Sequence, residues 1–159
     1  MEQAIVSAVT HDMSEAKMTL AGLPDHPGVA ARVFRSLSDL GVNVDMIVQN
    51  VSAQGVTDIS FTVPHEDLAK TQETASALVA ELGASEILVD AAIARVSVVG
   101  AGMRSNPGVA ATMFEVLAAE EINIAMISTS AIRVSCVVEQ ARVEDAVRAL
   151  HEAFGLSVV

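Results

Sequence analysis

The residues best suited to chemistry lie in one short loop, Gly22-Leu-Pro-Asp-His-Pro-Gly28, which leads from an apolar segment into a helical one. Pro27 suits the first position of a helix, where its missing N–H costs nothing. The next N–H groups, at 28–30, then lack helical partners and favour a small anion such as a carboxylate. Asp25 lies beside them and could pair with an ammonium group. Together these groups describe a site for a free α-amino acid, although a well-capped helix after a tight turn explains the same residues.

The chain contains this arrangement twice. Pro27–Asn50 aligns without a gap with Pro107–Ser130, 80 residues further on, and 10 of the 24 positions are identical. The second copy of the loop, Gly100–Gly108, is two residues longer and has no acid where the first has Asp25. Asn106 is predicted to cap the helix that follows. A duplication predicts two similar small folds with two similar sites.

Hydrophobic periodicity predicts the order strand, helix, strand, strand, helix, strand in each copy. In the first copy the predicted strands are 17–23, 42–48, 58–63 and 86–93, and the helices run from Val29 to Gly41 and from Pro64 to Leu82. In the second copy a strand ends at Gly100, a helix begins at Pro107, strands cover 122–129 and 132–138, and the last helix runs from Val143 to Phe154.

The segment after Phe154 is too short for a fourth strand, which leaves the second sheet incomplete. We therefore predict that Ala4–Thr10 supplies its outer strand, so that the first unit is inserted within the second. The predicted domains are residues 15–93, and residues 1–14 together with 94–159.

Composition narrows the classes of function. A net charge of −11 opposes binding to nucleic acids and to anionic membranes. The 52% hydrophobic content, with no Tyr or Trp, favours an oligomer that shares apolar surface. Cys136 is the single cysteine, which excludes an internal disulfide and suits a reducing cytosol. We expect no signal peptide, no membrane span and no metal site, since the four histidines lack ligand spacing.

Several segments resemble known families. Gly-x-x-Asp-x-Pro-Gly followed by a helix and then Asn43–Asn50 resembles the ACT domain, a βαββαβ unit that binds amino acids. Longer segments resemble the tandem ACT regulatory region of bacterial aspartate kinase: Ser14–Leu20, Asn43–Ser52, Thr57–Thr62, Val99–Met103, Ile127–Ser130 and Leu150–Gly155. The fold implied is α+β, with two ferredoxin-like ACT domains, the first inserted in the second through the N-terminal strand. No catalytic kinase domain is present, and a chain of this length resembles the regulatory β subunit.

The resemblance also implies sites and partners. The effector-binding residues would be Asp25, Pro27, Gly28, Val29, Ala30, Gln49, Asn123, Ile124 and Ser128, with Asn123 and Ile124 supplied by a partner chain. A second pocket would use Asn43, Val44, Ser105, Asn106, Gly108 and Ser130. The implied effector is L-threonine, with L-lysine as the other candidate, and neither a cofactor nor a metal is expected. Ala110 and Ala131 stand where the family pattern has polar and acidic residues, which weighs against lysine.

The resemblance implies a cytoplasmic homodimer that associates through its ACT domains and works with the catalytic α subunit of aspartate kinase. The competing interpretation is a free-standing tandem-ACT sensor that regulates a transcription factor. RNA binding on the same topology lacks stacking aromatic residues and has the wrong charge. An enzyme acting alone is disfavoured, because no acid, base and nucleophile converge.

Overall fold

The computed structural model describes residues 5–50, 54–103 and 106–156. Its elements in chain order are β1 (Ile5–Asp12), β2 (Glu15–Pro24), α1 (Val29–Asp39), β3 (Ile47–Gln49), β4 (Val56–Pro64), α2 (Leu68–Leu82), β5 (Glu86–Asp90), β6 (Ile93–Ala101), α3 (Gly108–Ala119), β7 (Met126–Thr129), β8 (Arg133–Glu139) and α4 (Val143–Ala153). Two compact units result: a first unit, Ser14–Ala91, and a second unit, Met1–Met13 with Ala92–Val159. The domain limits at 15–93 and at 1–14 with 94–159 remain our proposal for where independently folding parts could be cut.

The first unit holds an antiparallel sheet in the order β3-β4-β2-β5. Helix α1 buries Val29, Val33 and Leu37, which recur every four residues and so share one helical face. These side chains form one core cluster with buried residues of α2 and of the two central strands, among them Phe61. Phe34 adds an edge-to-face contact with Phe61, with ring centroids 5.6 Å apart. The periodic apolar residues predicted from the sequence therefore form the core between the helices and the sheet.

The second unit repeats this plan with a different origin for one strand. Its sheet has the order β1-β6-β8-β7. Strand β1 runs antiparallel to β6, with Thr10 opposite Ser97 and Asp12 opposite Arg95. An ion pair of 3.5 Å joins Arg95 Nη2 to Asp12 Oδ2 at the end of this ladder. The prediction that the N-terminal strand belongs to the second sheet is therefore confirmed, as is the α+β fold of two ACT-like units, the first inserted in the second.

Cys136 lies at the centre of the second core. Its side chain is 0% exposed, and its sulfur lies 4.0 Å from the sulfur of Met113. Burial raises the pKa of the Cys136 thiol from 9.0 to about 12, because a thiolate would lose its hydration there. The thiol is a packing group of the second core.

The strand predicted over 42–48 is shorter than its alternating sequence indicated. Regular pairing is confined to β3. Ahead of β3, the hydroxyl of Thr62 accepts a hydrogen bond from the Met46 N–H (3.1 Å), and the Thr62 carbonyl accepts one from the Asp45 N–H (3.1 Å). A side chain thus replaces one rung of the ladder and breaks the regular register. The second copy has Val137 in place of Thr62 and keeps Met126 in the ladder opposite it, although its strand β7 also begins later than predicted, at Met126 rather than Ile122.

Two further boundaries differ from the sequence prediction. The strand predicted over 86–93 ends at Asp90, and Ile93 instead opens β6 of the second unit. The helix predicted from Pro64 begins with a 3-10 turn, His65–Asp67, before α2. Both differences concern element ends, where hydrogen bonds outside the element decide the boundary.

The β1–β6 pairing generates a prediction about a truncated chain. Deleting residues 1–10 removes most of an edge strand, so we expect the second unit to lose protection although the cut adjoins the first unit in sequence. Hydrogen exchange measured by mass spectrometry should accelerate across residues 96–138. Residues 18–63 serve as the internal control and should exchange as in the intact chain. Acceleration confined to 18–63 would contradict the pairing.

Candidate functional site

The predicted amino-acid loop leads from β2 into α1, and its turn is built on Gly28. This residue is the N-cap of α1 and has a left-handed backbone with φ +98°, a conformation that favours glycine. Helix α1 begins at Val29, so the prediction that Pro27 occupies the first helical position is wrong. The His26 carbonyl accepts the Val29 N–H at 3.4 Å, which closes the turn before the helix starts. The left-handed turn at Gly28 therefore sets where the helix begins.

The N-terminus of α1 offers backbone donors to an anion. Within the part of the chain that the structure describes, the Ala30 and Ala31 N–H groups have no hydrogen-bond acceptor. A Cβ added at Gly28 would meet nothing within 4 Å, so the approach to these donors is open. Two unpaired donors at the positive end of a helix dipole suit a carboxylate.

Asp25 lies three residues before the N-cap with its side chain exposed. Its backbone N–H donates to the Gly55 carbonyl at 2.9 Å, which fixes the loop against the turn that precedes β4. The backbone of Asp25 is thereby held three residues before the N-cap, and its side chain is exposed. This arrangement can pair with an ammonium group of a ligand whose carboxylate meets the helix.

A side-chain bridge, which sequence reasoning missed, connects the loop to the end of β3. The Asp58 Oδ1 accepts the Gly22 N–H at 2.9 Å, and the Asn50 Oδ1 accepts the Asp58 N–H at 2.8 Å. The Thr57 hydroxyl also donates to the Asn50 carbonyl. Asn50 directly follows Gln49, so the bridge sets the spacing between the predicted loop and the predicted facing strand.

The second unit lacks this bridge. Arg133 occupies the repeat position of Asp58, and the Gly100 N–H donates instead to the Ile132 carbonyl at 2.9 Å. The signal was present in the sequence, since the aligned repeats Asp58–Val63 and Arg133–Val138 begin with opposite charges. The two sites are thus built on one plan but held by different bonds.

A cavity of about 370 Å³ lies in the second unit between its loop and the end of β7. The described residues that line it are Met103, Asn106, Pro107, Val109, Ala110, Thr129, Ser130, Ala131 and Val134. Two of the predicted second-pocket residues, Asn106 and Ser130, therefore share one cavity. Its size falls in the range of small-ligand sites. By the 80-residue offset, the lining positions 107, 109, 110 and 129 correspond to 27, 29, 30 and 49.

Asn106 was predicted to cap α3, and this prediction is wrong. The N-cap is Pro107, and the Asn106 side-chain amide donates to the Gly102 carbonyl at 3.0 Å. Pro107 already has helical backbone angles, and the Asn106 side chain instead joins the end of the longer second loop to its start at Gly102. Ser105, the other predicted loop residue, lies outside the described residues.

Four of the remaining predicted residues fall on matching positions of the two units, Asn43 with Asn123 and Val44 with Ile124, whereas Gln49 and Ser128 do not match each other. Gln49, Ser128, Asn43 and Asn123 are exposed, whereas Val44 and Ile124 are half-buried against the cores. Asn123 and Ile124 line a surface cavity of about 560 Å³ beside α3. Each unit by itself thus presents one part of the predicted effector site.

Known proteins share this sequence pattern and this fold. The ACT domain family matches residues 18–78 and again 96–154. A solved structure of aspartokinase α and β subunits has a chain that is 45% identical, with a TM-score of 0.90 and coverage of 96% of this chain and 100% of that one. The chain belongs to the family of ACT regulatory regions of aspartate kinase.

This ACT regulatory chain has further relatives of the same kind. The ligand-free regulatory subunit of aspartate kinase from Thermus thermophilus is 40% identical, with a TM-score of 0.90 and coverage of 94% of this chain and 98% of that one. The aspartokinase of Mycolicibacterium smegmatis is 52% identical over 158 residues, which is 98% of this chain. The chain spans only 38% of that relative's length.

Two observations bound the chemistry of this ACT regulatory chain. None of the helices in the described ranges combines the length and apolarity needed to cross a membrane. Among the same residues, no three His, Cys, Asp or Glu side chains gather as a metal site would require.

The Asp58 bridge generates a prediction about the loop. Replacing Asp58 by Ala removes the acceptor of the Gly22 N–H, and a hydrogen bond to a charged group contributes about 1.5–3 kcal/mol. We expect the Gly22 amide to exchange with solvent at least about fivefold faster by NMR, because even a 1 kcal/mol loss gives that change. Asp58→Asn keeps an acceptor oxygen and should restore most of the protection.

The matched control for this prediction lies in the other repeat. Arg133→Ala alters the equivalent position, but the Gly100 N–H there depends on a backbone carbonyl, so its exchange should stay unchanged. Gly22 exchange that stays unchanged in Asp58→Ala would show that the bridge does not hold the loop.

Proposed function

We propose that this chain is the amino-acid-sensing regulatory part of aspartate kinase, and that it mediates feedback inhibition by L-threonine in the biosynthesis of lysine, threonine and methionine. The single observation that carries the proposal is the open N-terminus of α1, with the Ala30 and Ala31 donors and Asp25 beside it, in a chain of the ACT regulatory family. A catalytic α subunit is the proposed partner, and the cytoplasm is the proposed location.

The proposed binding mode divides a free amino acid among three kinds of group. The backbone N–H groups of Ala30 and Ala31 donate to the carboxylate, and the Asp25 carboxylate accepts from the ammonium group. Gln49, at the end of β3, faces the ligand across the span set by the Asp58 bridge. Asn123 and Ile124 of a second copy close the site. Hydrogen bonds from buried polar groups to both ends select α-amino acids over amines or acids alone.

In the second unit, the choice of threonine over lysine rests on charge. None of the described residues that line the cavity of the second unit is acidic or basic, and Ala131 follows Ser130 at its rim. A lysine side chain would bring an ammonium group there without a carboxylate partner, which is costly once water is excluded. A short hydroxyl side chain can instead bond to Ser130 or Thr129. Lysine remains the second effector candidate of the proposal.

Feedback inhibition follows from linkage. An effector lowers kinase activity only if it binds the inhibited assembly more tightly than the active one. A site completed by a second copy has this property, because the bound amino acid stabilises one arrangement of the two copies. Reconstitution with a catalytic chain tests this regulatory role, since threonine should inhibit the mixture and leave the catalytic chain alone unaffected.

The binding mode predicts the effect of removing the ammonium acceptor. Asp25→Ala should weaken threonine binding by about 1.5–3 kcal/mol, the contribution of a hydrogen bond to a charged group. Isothermal calorimetry against threonine, lysine, methionine and isoleucine measures this and ranks the effectors. Glu73→Ala, an exposed acid on α2, is the control of equal charge change and should bind normally. Unchanged affinity in Asp25→Ala would remove Asp25 from the site.

The proposed homodimer generates a second prediction. Edge strands β3 and β7 carry exposed apolar residues, with Ile47 53% and Ile127 45% exposed. Pairing of such edges about a two-fold axis would join two four-stranded sheets and cover both edges at once. Multi-angle light scattering should therefore give the mass of a dimer at micromolar concentration. A mass of 16.5 kDa with and without threonine would contradict this arrangement.

A further inference from the structure

Two grooves of similar construction lie on the outer faces of α1 and α3. The groove beside α1 measures about 650 Å³ and is lined by Gly28, Ala31, Arg32, Phe34, Arg35 and Ser38. The groove beside α3 measures about 560 Å³ and contains Phe114, Ala118 and Glu121. Each is built around a half-buried phenylalanine at the same repeat position, with small exposed residues beside it. Faces of this composition allow another helix to approach closely.

The two helix faces differ in charge near their centres. Arg35 on α1 and Glu115 on α3 occupy the same repeat position, and both are exposed. Arg35 makes a long contact with Asp39, 3.9 Å from Nη1 to Oδ1, and its side chain is 74% exposed. Its guanidinium is therefore available to a partner. The neighbouring Arg32 differs, because both carboxylate oxygens of Glu81 accept from it at 3.1 and 2.8 Å and hold it against α2.

We propose that Arg35 and Glu115 determine which unit pairs with which when two copies associate. Helix α1 of one copy packs against α3 of the other, and Arg35 meets Glu115 across that contact. Pairing of α1 with α1 would instead place two Arg35 side chains together, and pairing of α3 with α3 would place two Glu115 side chains together. Like charges that face each other within an interface reject the wrong partner. The inference rests on the proposed homodimer.

The helix geometry permits this contact. Arg35 lies one residue beyond the midpoint of α1, and Glu115 lies one to two residues beyond the midpoint of α3. Antiparallel helices that cross at their midpoints bring the two Cα atoms within about 4 Å along the axis, given the helical rise of about 1.5 Å per residue. Both side chains are long enough to span that offset. A two-fold axis forms the contact twice, so both grooves of both copies are filled.

Mixing of charge-reversed variants tests the proposal. Alone, Arg35→Glu places two acids opposite each other in both contacts, and Glu115→Arg places two arginines opposite each other. Each variant should dimerise at least about tenfold more weakly than the wild type. An equimolar mixture restores opposite charges in both contacts, so native mass spectrometry of mass-tagged chains should find mainly heterodimers. The double variant Arg35→Glu/Glu115→Arg should dimerise like the wild type.

The controls separate this proposal from the dimer itself. Glu73→Arg reverses an exposed charge on α2, away from both grooves, and should leave dimerisation unchanged. Circular dichroism of each variant checks that the fold is intact. A wild-type monomer would overturn the dimer and the pairing rule together. A wild-type dimer whose two single variants form homodimers of normal strength, or remain monomeric when mixed, would overturn the pairing rule alone. Preferential pairing of Arg35→Glu with the wild type would indicate α1–α1 contact instead.

Discussion

Backbone pairing between β1 and β6 is the interaction on which the rest of the structure depends. It joins residues at least 83 positions apart in sequence, which is the separation of Asp12 and Arg95. Because the chain begins in the second sheet, the inserted unit must start and finish close to one point. His65 meets this requirement: its N–H donates to the Ser14 carbonyl at 2.9 Å, and its Nε2 lies 3.0 Å from the Ala91 carbonyl oxygen. One residue thus holds both ends of the first unit together.

The same constraint explains how a duplicated sequence gives two sheets of equivalent order. In the first unit the fourth strand, β5, comes after the second helix, whereas in the second unit β1 comes before everything else. Both strands pair antiparallel with the strand that leads into the loop. The position of the site relative to the sheet is therefore the same in both units, although the chain reaches it by different routes.

Periodicity was sufficient to predict the parts of the fold that depend on burial. The inward face of α1, at Val29, Val33 and Leu37, and the matching face of α3 follow from the spacing of apolar residues alone. The insertion of the first unit within the second was predicted by counting the strands of each sheet. Periodicity does not predict the hydrogen bonds that single side chains make with the backbone. The Thr62 hydroxyl takes the Met46 N–H out of the ladder, which depends on a tertiary neighbour, and the left-handed turn at Gly28 moves a helix start, which depends on a local backbone conformation.

The Asp58 bridge makes the two repeats unequal at the candidate site. In the first unit a carboxylate holds the loop at Gly22 and, through Asn50, the end of β3. In the second unit the longer loop is held by Asn106 and by backbone carbonyls, and Arg133 replaces the acid. A ligand that enters a site whose two sides are already joined has less conformational entropy to remove. In the proposed binding mode, Asp25 adds an ammonium acceptor to the same unit. Two independent features therefore favour the first site, and the duplication has produced one framework with one better-equipped site rather than two equal ones.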